Sequence, residues 1–264
     1  MANTQAFIGI DVGTTSVKAL LVDEIGHIIN EASVEQKINF PYPSWAEQDP
    51  EMWWSNTKTA IIDVLTTHDR SPTSIDIQAI GLSGQMHSSV FLDSKGEVIR
   101  PAILWNDGRT SSQRNEITTR IGISRLSETV GNLPLEGFTI TKLLWLRDNE
   151  PSNYFRLHSL LLPKDFIRMK LTGETTTENS DASGTILFDI HKLEWSKEIL
   201  EDLDLPKTVF PKVTESTDIS GRITKTVSKT LGIKEGIPVI SGGADNAAGA
   251  VATGAVSKGI VQAS

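Results

Sequence analysis

The sequence contains no cysteine among its 264 residues. Disulfide bonds, thiolate zinc sites, iron–sulfur clusters and cysteine nucleophiles are therefore excluded. Histidine is also scarce, and the five histidines are scattered without the spacing of metal ligands. The lack of cysteine is compatible with the cytoplasm, which is the compartment that we expect.

Long apolar runs and an excess of basic residues are missing too. The sequence has no run of about 18 apolar residues, and its polar first residues do not resemble a signal peptide. Twenty-five Lys and Arg against 33 Asp and Glu give a net charge of −8, so no overall positive field attracts nucleic acid. We therefore expect neither nucleic acid nor a membrane as a partner.

What the sequence does contain is the alternation of strands and helices that is typical of an α/β protein. Apolar patterning predicts three consecutive strands joined by short turns, which favours antiparallel pairing, and then a helix that begins after Asp49 with Pro50 at its first position. A buried strand at residues 77–83 and a strand at residues 88–92 follow. Predicted strands also cover residues 7–11, 17–23, 27–36 and 238–241, and predicted helices cover 50–66, 109–121, 139–147, 164–170 and 197–203, with a polar segment at 174–184.

The turn between the first two predicted strands has the composition of a phosphate-binding loop. It combines a carboxylate, a turn glycine, successive hydroxyls and a lysine, namely Asp11, Gly13, Thr14, Thr15 and Lys18. Backbone amides and hydroxyls can donate to phosphate oxygens, and the aspartate can orient hydrated Mg²⁺. No helix follows the turn, so it is neither a Walker loop nor a dinucleotide fingerprint. The alternative is an ordinary hairpin turn.

A second motif follows the strand predicted at residues 238–241. Two glycines precede Asp245 and Asn246, and a helix rich in small residues comes next. An aspartate held between a strand and a helix can take a proton from a substrate hydroxyl. The alternative is a helix cap, in which Asp245 or Asn246 accepts hydrogen bonds from the first helical amides.

Polar and aromatic residues also follow two other predicted strands. Met86 and His87 come after the strand at residues 77–83, and Trp105 precedes Asp107 and Arg109. Ligands of open α/β sheets tend to bind at such strand ends. The alternatives are core packing for Trp105, a structural histidine at position 87 and a loop-shaping ion pair between Asp107 and Arg109.

Taken together, these segments resemble the FGGY carbohydrate kinases of the actin, Hsp70 and sugar kinase superfamily. Residues 8–18 are similar to the first phosphate loop of the superfamily, and residues 137–149 fit the first signature pattern of the family throughout. Residues 45–50, 84–87, 103–109 and 243–249 are similar to the xylulokinase branch. Glycerol kinases typically have Arg-Glu where this sequence has Met86 and His87.

The resemblance implies a fold and a set of roles for individual residues. The fold is the ribonuclease H-like α/β type, with a mixed sheet flanked by helices. Residues 1–240 would form the sugar-binding lobe, and residues 241–264 would begin a second, nucleotide-binding lobe. The implied roles are Asp245 as general base, Met86, His87, Trp105, Asp245 and Asn246 around the sugar, Asp11 beside Mg²⁺ and in catalysis, and Gly13, Thr14, Thr15 and Lys18 beside the phosphates of ATP.

The implied reaction is phosphoryl transfer from ATP to the terminal hydroxyl of D-xylulose. The resemblance covers about half of the family's usual polypeptide, so we expect little transfer by this chain alone and a missing second lobe or a second copy as a partner. Three alternatives remain open at this point: another substrate such as L-ribulose, gluconate or L-fuculose, a non-catalytic sugar-binding lobe, and a nucleotide switch of the actin or Hsp70 type.

Overall fold

The computed structural model describes residues 4–66 and 75–262. The strands are β1 Thr4–Val12, β2 Ser16–Asp23, β3 Ile28–Glu35, β4 Glu47–Gln48, β5 Ile75–Gly84, β6 Val90–Leu92, β7 Ala102–Ile103, β8 Ser159–Leu161, β9 Thr176–Glu178, β10 Phe188–Asp189, β11 Glu194–Trp195, β12 Lys212–Thr214, β13 Ile219–Arg222, β14 Pro238–Ile240 and β15 Gly243–Ala244. The helices are α1 Pro50–Leu65, α2 Ser111–Ile121, α3 Ile123–Val130, α4 Thr139–Asn149, α5 Pro151–Arg156, α6 Pro163–Thr172, α7 Asn179–Ser183, α8 Lys197–Asp202, α9 Lys225–Leu231 and α10 Asp245–Ala252.

The main sheet of the described chain has seven strands and mixed directions. Its order is β13-β14-β5-β1-β2-β3, and β15 also pairs with β5. The first three strands are antiparallel, as their short connections predict, whereas β5 runs parallel to β1 and both β14 and β15 run parallel to β5. A mixed sheet flanked by helices therefore underlies this part of the molecule.

Helix α1 packs on one face of this sheet because the strands alternate. Ile8 and Ile10 in β1 are buried with Trp53 and Ile61 of α1, and α1 also contacts α6 and α9. The helix begins as the sequence predicts, since the Asp49 carboxylate accepts a hydrogen bond from the amide of Glu51 and Pro50 follows it. A second buried cluster packs around α4 and is centred on Phe91, Leu144, Phe188 and Trp195 among other residues.

The carboxyl ends of β1, β5 and β15 lie at one edge of the sheet. In the parallel register, Ser83 of β5 is the partner of Asp11 on one side and of Gly243 on the other. This edge therefore brings the turn after β1 and the segment before α10 together, although they are far apart in the sequence.

Several elements differ from the sequence-based predictions. The strand predicted at residues 88–92 is limited to Val90–Leu92, and the helix predicted from residue 109 begins at Ser111. The polar segment 174–184 forms β9 and α7, with Glu178 and Asp181 buried, because Lys164 of α6 is an ion-pair partner for both carboxylates. The short helices α3, α5 and α9, of eight, six and seven residues, were not predicted.

The division at residue 240 stays a prediction. Gly243–Ala244 pairs with β5 within the main sheet, and the last two residues of the predicted second segment, 263 and 264, lie outside the described residues. Across residues 4–66 and 75–262, no helix is both long enough and apolar enough to span a bilayer.

Candidate active site

Asp245 is the first residue of α10 and lies where β15 ends. The alternative role of Asp245 is that of a helix cap, and the structure has Ala244 at the cap position, where no side-chain hydrogen bond is made. The Asp245 carboxylate instead accepts a hydrogen bond from the amide of Asn246, at 2.7 Å. Partial burial raises the pKa of Asp245, the Asn246 amide opposes this rise, and the negative charge of Asp11 adds to it. Two carboxylates therefore share this edge of the sheet.

The backbone before Asp245 has a shape that only glycine permits. Gly242 has a φ of +80°, and a Cβ atom at this position would lie 1.9 Å from the carbonyl oxygen of Leu82. Any other side chain would push β15 away from β5. The glycine pair before Asp245 thus serves close packing of the segment against the neighbouring strand.

Asp11 is held at the end of β1 by a hydroxyl from the adjacent strand. Ser83 Oγ donates to Asp11 Oδ1 at 2.7 Å. In the described residues, no group of three or more His, Asp or Glu side chains could enclose a metal ion. Mg²⁺ commonly keeps several waters and takes one or two protein carboxylates together with substrate phosphates, so Asp11 beside Asp245 fits Mg²⁺ and does not form an all-protein site.

The predicted phosphate turn is connected to Trp105. The Trp105 indole donates through Nε1 to Thr14 Oγ1 at 2.8 Å, and Thr14 Oγ1 in turn lies 3.3 Å from Gln85 Oε1. Trp105 is 47% exposed, so the alternative of core packing is wrong for this residue. Thr15 is exposed, and the carbonyl of Gly13 accepts a hydrogen bond from Gln36 Nε2 at 2.7 Å.

Lys18 lies in β2 directly across from Asp11 in the antiparallel register. Both residues line a cavity of about 1010 Å³ that extends between the sheet and α10, and Ser83 and Ala247 line it as well. Met86, His87 and Trp105 are not among the residues that line this cavity. Asp245, Asn246, Gly13, Thr14 and Thr15 do not line it either, so of the predicted site residues the cavity includes Asp11 and Lys18.

Met86 contacts α10, and His87 contacts Gly184 and Phe138. The side-chain amide nitrogen of Asn246, Nδ2, is 3.7 Å from Met86 Sδ, and this contact links the loop after β5 to α10. His87 Nδ1 lies 2.8 Å from the carbonyl oxygen of Gly184, and its ring packs edge-on against Phe138. A carbonyl only accepts, so Nδ1 carries the proton and Nε2 remains an acceptor.

Burial, and next the positive charge of Lys142, lower the pKa of His87 to about 4 against the opposing contact with Gly184. The imidazole is therefore neutral near neutral pH. A neutral ring with a free Nε2 can accept a hydrogen bond from a hydroxyl, which an imidazolium cannot do.

Sequence reasoning missed the residues that support this loop. The His87 carbonyl accepts hydrogen bonds from Lys142 Nζ at 2.8 Å and from Thr139 Oγ1 at 3.1 Å. Both donors lie in the segment 137–149, which served only to identify a resemblance. Lys142 is a polar residue within an apolar helical run, and that pattern was the available signal.

The pair Asp107 and Arg109 is a structural ion pair, one of the two roles considered for it. Arg109 Nη2 lies 2.7 Å from Asp107 Oδ2, and the guanidinium is also 2.7 Å from Glu47 and stacks over Trp45. The Asp107 carboxylate accepts a hydrogen bond from the backbone amide of Ala46. These contacts shape the loop that follows Trp105.

A buried charge cluster is linked by hydrogen bonds to the segment that carries Asp245. The cluster consists of Lys164, Asp165, Arg168, Glu178 and Asp181. Glu178 accepts a hydrogen bond from Ser180 Oγ at 2.7 Å, and Ser180 Oγ accepts one from the amide of Ala244 at 2.9 Å. The cluster therefore helps to hold the backbone immediately before Asp245.

The chain is similar to known carbohydrate kinases. Residues 6–252 match the model of the FGGY family of carbohydrate kinases, N-terminal domain. A xylulose kinase of Escherichia coli (strain K12) is 40% identical over 250 residues, which cover 95% of this chain and 50% of that protein. The chain spans about half the length of the curated relatives it matches.

Solved structures give the same similarity in three dimensions. The crystal structure of a xylulose kinase from Rhodospirillum rubrum overlaps with a TM-score of 0.92 at 28% identity, over 96% of this chain and 52% of the other. A gluconate kinase from Lactobacillus acidophilus overlaps with a TM-score of 0.85 at 28% identity, over 92% and 48% of the two chains. These overlaps confirm the fold class predicted from the sequence.

Proposed function

The chain belongs to the FGGY family of carbohydrate kinases, and from this premise we propose that it is the sugar-binding lobe of a kinase specific for D-xylulose. The reaction transfers the γ-phosphoryl group of ATP to the terminal hydroxyl of the sugar and yields D-xylulose 5-phosphate. The observation that carries the proposal is the meeting of Asp245 and Asn246 with Asp11 and Met86 at one edge of the sheet.

Asp245 is the general base in this proposal. Its carboxylate accepts the proton of the sugar hydroxyl as the hydroxyl oxygen attacks the phosphorus atom. A raised pKa brings the group closer to the working pH. A carboxylate with such a pKa is still deprotonated before the reaction and has a higher affinity for the proton that it accepts. The Gly242 backbone and the Ser180 contact to Ala244 keep the carboxylate in place, which matters because phosphoryl transfer depends mainly on positioning.

The turn between β1 and β2 is the proposed phosphate site. The amides of Gly13, Thr14 and Thr15 and the exposed hydroxyl of Thr15 donate to phosphate oxygens, and Lys18 adds a positive charge on the neighbouring strand. Asp11 would hold Mg²⁺, which when bound neutralises charge on the phosphates of ATP. Ser83 orients the Asp11 carboxylate for that role.

Met86, His87, Trp105 and Asn246 form the proposed sugar site. The His87 Nε2 atom accepts a hydrogen bond from a sugar hydroxyl, and the Trp105 ring provides an exposed apolar surface beside the phosphate turn. The similarity to a gluconate kinase supports one alternative, a related sugar or sugar acid as substrate. The coverage of half of the relatives' length supports another, a lobe that binds sugar and transfers nothing by itself.

Calorimetric titration of the chain tests the sugar site directly. We expect saturable binding of D-xylulose, with weaker binding of L-ribulose, gluconate and glycerol. His87→Ala should weaken the affinity for D-xylulose because it removes the Nε2 acceptor, whereas His158→Ala at an exposed histidine should not change it.

A preference for gluconate or L-ribulose would reassign the substrate within the family. The absence of binding to all four compounds would contradict the proposal that this lobe carries the sugar site.

A further inference from the structure

The backbone of His87 has an unusual conformation that must be held by its surroundings. Its φ is +64°, in the left-handed region that non-glycine residues rarely adopt. The two neighbouring residues in the chain, Met86 and Ser88, are buried or half-buried, so the loop is part of the packed interior and not a free surface turn. The groups that bind the His87 peptide therefore control where its imidazole lies.

Lys142 is the side chain that binds this peptide. Its side chain is fully buried, and Nζ donates to the carbonyl of His87 at 2.8 Å and to the carbonyl of Gly137 at 2.6 Å. In residues 4–66 and 75–262, no carboxylate lies within the 4 Å ion-pair distance of its ammonium group. The hydrogen-bond partners of this fully buried amine are thus two backbone carbonyls.

Burial of an amine in this way is unfavourable for folding alone. Burial lowers the pKa of Lys142 well below its usual value, Asp107 opposes this change, and Arg109 adds to it. An apolar side chain of similar length would fill the same space without the desolvation cost. The lysine is therefore better explained by what it holds than by the stability that it provides.

The second carbonyl bound by Lys142 belongs to a segment that touches the other side of the sugar site. Gly137 packs so closely on the loop of Trp105 that a Cβ atom there would lie 2.3 Å from the Trp105 carbonyl oxygen. Lys142 Nζ thus joins the His87 peptide to the segment packed against Trp105. Thr139 Oγ1 adds a second hydrogen bond to the same His87 carbonyl.

We propose that Lys142 is a positioning residue of the sugar site, which ties the loop of His87 to the loop of Trp105 and so sets the distance between their side chains. Thr139 assists it through the shared carbonyl. The effect on sugar affinity rests on the proposed function, whereas the effect on the geometry of His87 does not.

The test uses Lys142→Met, which keeps the length of the side chain and removes its donors. Thr139→Val is the milder variant, since it removes one hydroxyl with little change of shape. Lys229→Met, at an exposed lysine of α9, is the matched control. Each variant is characterised by nitrogen NMR of the His87 ring, by titration with D-xylulose and by urea unfolding.

We expect the NMR signals of Lys142→Met to show that His87 no longer occupies the single Nδ1-protonated form. Sugar affinity should fall by about 10- to 100-fold, as for the loss of a hydrogen bond to a charged group, and Thr139→Val should give a smaller loss of the same kind. The unfolding midpoint of Lys142→Met should change little, because removal of the buried amine offsets the loss of its hydrogen bonds to the two carbonyls.

Unchanged His87 signals in Lys142→Met would overturn the proposal, and so would a loss of affinity that merely follows a loss of folded protein. If the parent chain binds no sugar, the proposed function fails, and the His87 signals still decide whether Lys142 positions this loop. If Lys142→Met does not fold, Thr139→Val decides in the same way through the His87 signals.

Discussion

At the scale of single residues, the charge balance of the buried cluster sets the protonation of one carboxyl group. Three carboxylates face two cations, Lys164 and Arg168, so one negative charge is in excess. Burial, with the charges of Asp165 and Glu178 beside it, raises the pKa of Asp181 to about 7 against the opposing charge of Lys164. The lowered pKa values of Asp165 and Glu178 show which two carboxylates keep their charge.

This protonation predicts a pH dependence of stability that Asp181→Asn should remove. The folded state keeps a proton on Asp181 up to about pH 7, while the unfolded chain releases it near the ordinary value of 3.8, so this contribution to stability is present at low pH and is lost as the pH rises toward 7. The amide mimics the protonated acid. We expect the free energy of unfolding of the variant, relative to the parent, to increase between about pH 5 and pH 7 and to level off above that.

Urea unfolding at several pH values measures this difference. The control is Asp63→Asn, at an exposed aspartate of α1, whose offset from the parent should stay constant over the same range. A constant offset for Asp181→Asn as well would show that Asp181 is ionised in the folded state throughout.

At the scale of elements, the start of α4 supports two loops at once. The segment that leads into this helix packs on Trp105 through Gly137, and its first turns reach His87 through Thr139 and Lys142. The segment 137–149, which fits the family signature, therefore has two structural roles. It contacts the loops of the proposed sugar site, and it packs α4 into the core. Leu143 and Leu144, within the same run, are buried in the second core cluster.

Gly137→Ala should destabilise the chain because its Cβ would lie 2.3 Å from the backbone carbonyl oxygen of Trp105, which cannot move aside as a flexible side chain can. We expect a loss of about 1–3 kcal/mol in the free energy of unfolding, measured by urea denaturation. The control is Gly81→Ala in β5, where a Cβ would have no atom within 4 Å, and it should cause no comparable loss. Equal effects of the two substitutions would show that the close approach to Trp105 carries no strain.

At the scale of the whole molecule, the site at the edge of the sheet is open on the side of α10. Val251 of α10 is exposed although it lines the cavity beside Asp11, and Leu20 of β2 is partly exposed on the same cavity. The curated relatives are about twice as long as this chain. Kinases that close two lobes over their substrates exclude water and complete the site in that step.

We therefore expect negligible ADP release from D-xylulose and ATP by the chain alone, and measurable turnover when a polypeptide that corresponds to the second half of the relatives is joined to it. In that joined protein, Asp245→Asn should lower kcat by about 10²- to 10⁴-fold, because the general base is lost. Asp204→Asn, at an exposed carboxylate paired with Arg120, is the control and should retain activity. Full turnover by the chain alone, or by the Asp245→Asn protein, would contradict the assigned roles.

The elements that depend on near neighbours could be predicted from the sequence. The three antiparallel strands follow from apolar runs separated by short turns, and the start of α1 follows from Asp49 before Pro50. The αL glycine at position 173 ends α6 for the same kind of local reason. The motifs around Asp11 and Asp245 were recognisable because each is contiguous.

The sequence by itself thus determined the local elements and the short motifs, because periodicity, capping and turn chemistry act over a few residues, and the resemblance carried by those motifs implied the family and the class of the fold. Only the tertiary structure decided that Ser83 holds Asp11, that Lys142 binds the peptide of His87 and that Ser180 holds Ala244. These partners lie 72, 55 and 64 residues apart in the chain. Their contacts arise from the parallel register of β5 and from the packing of α4, which depend on the whole fold and have no signature in any one segment.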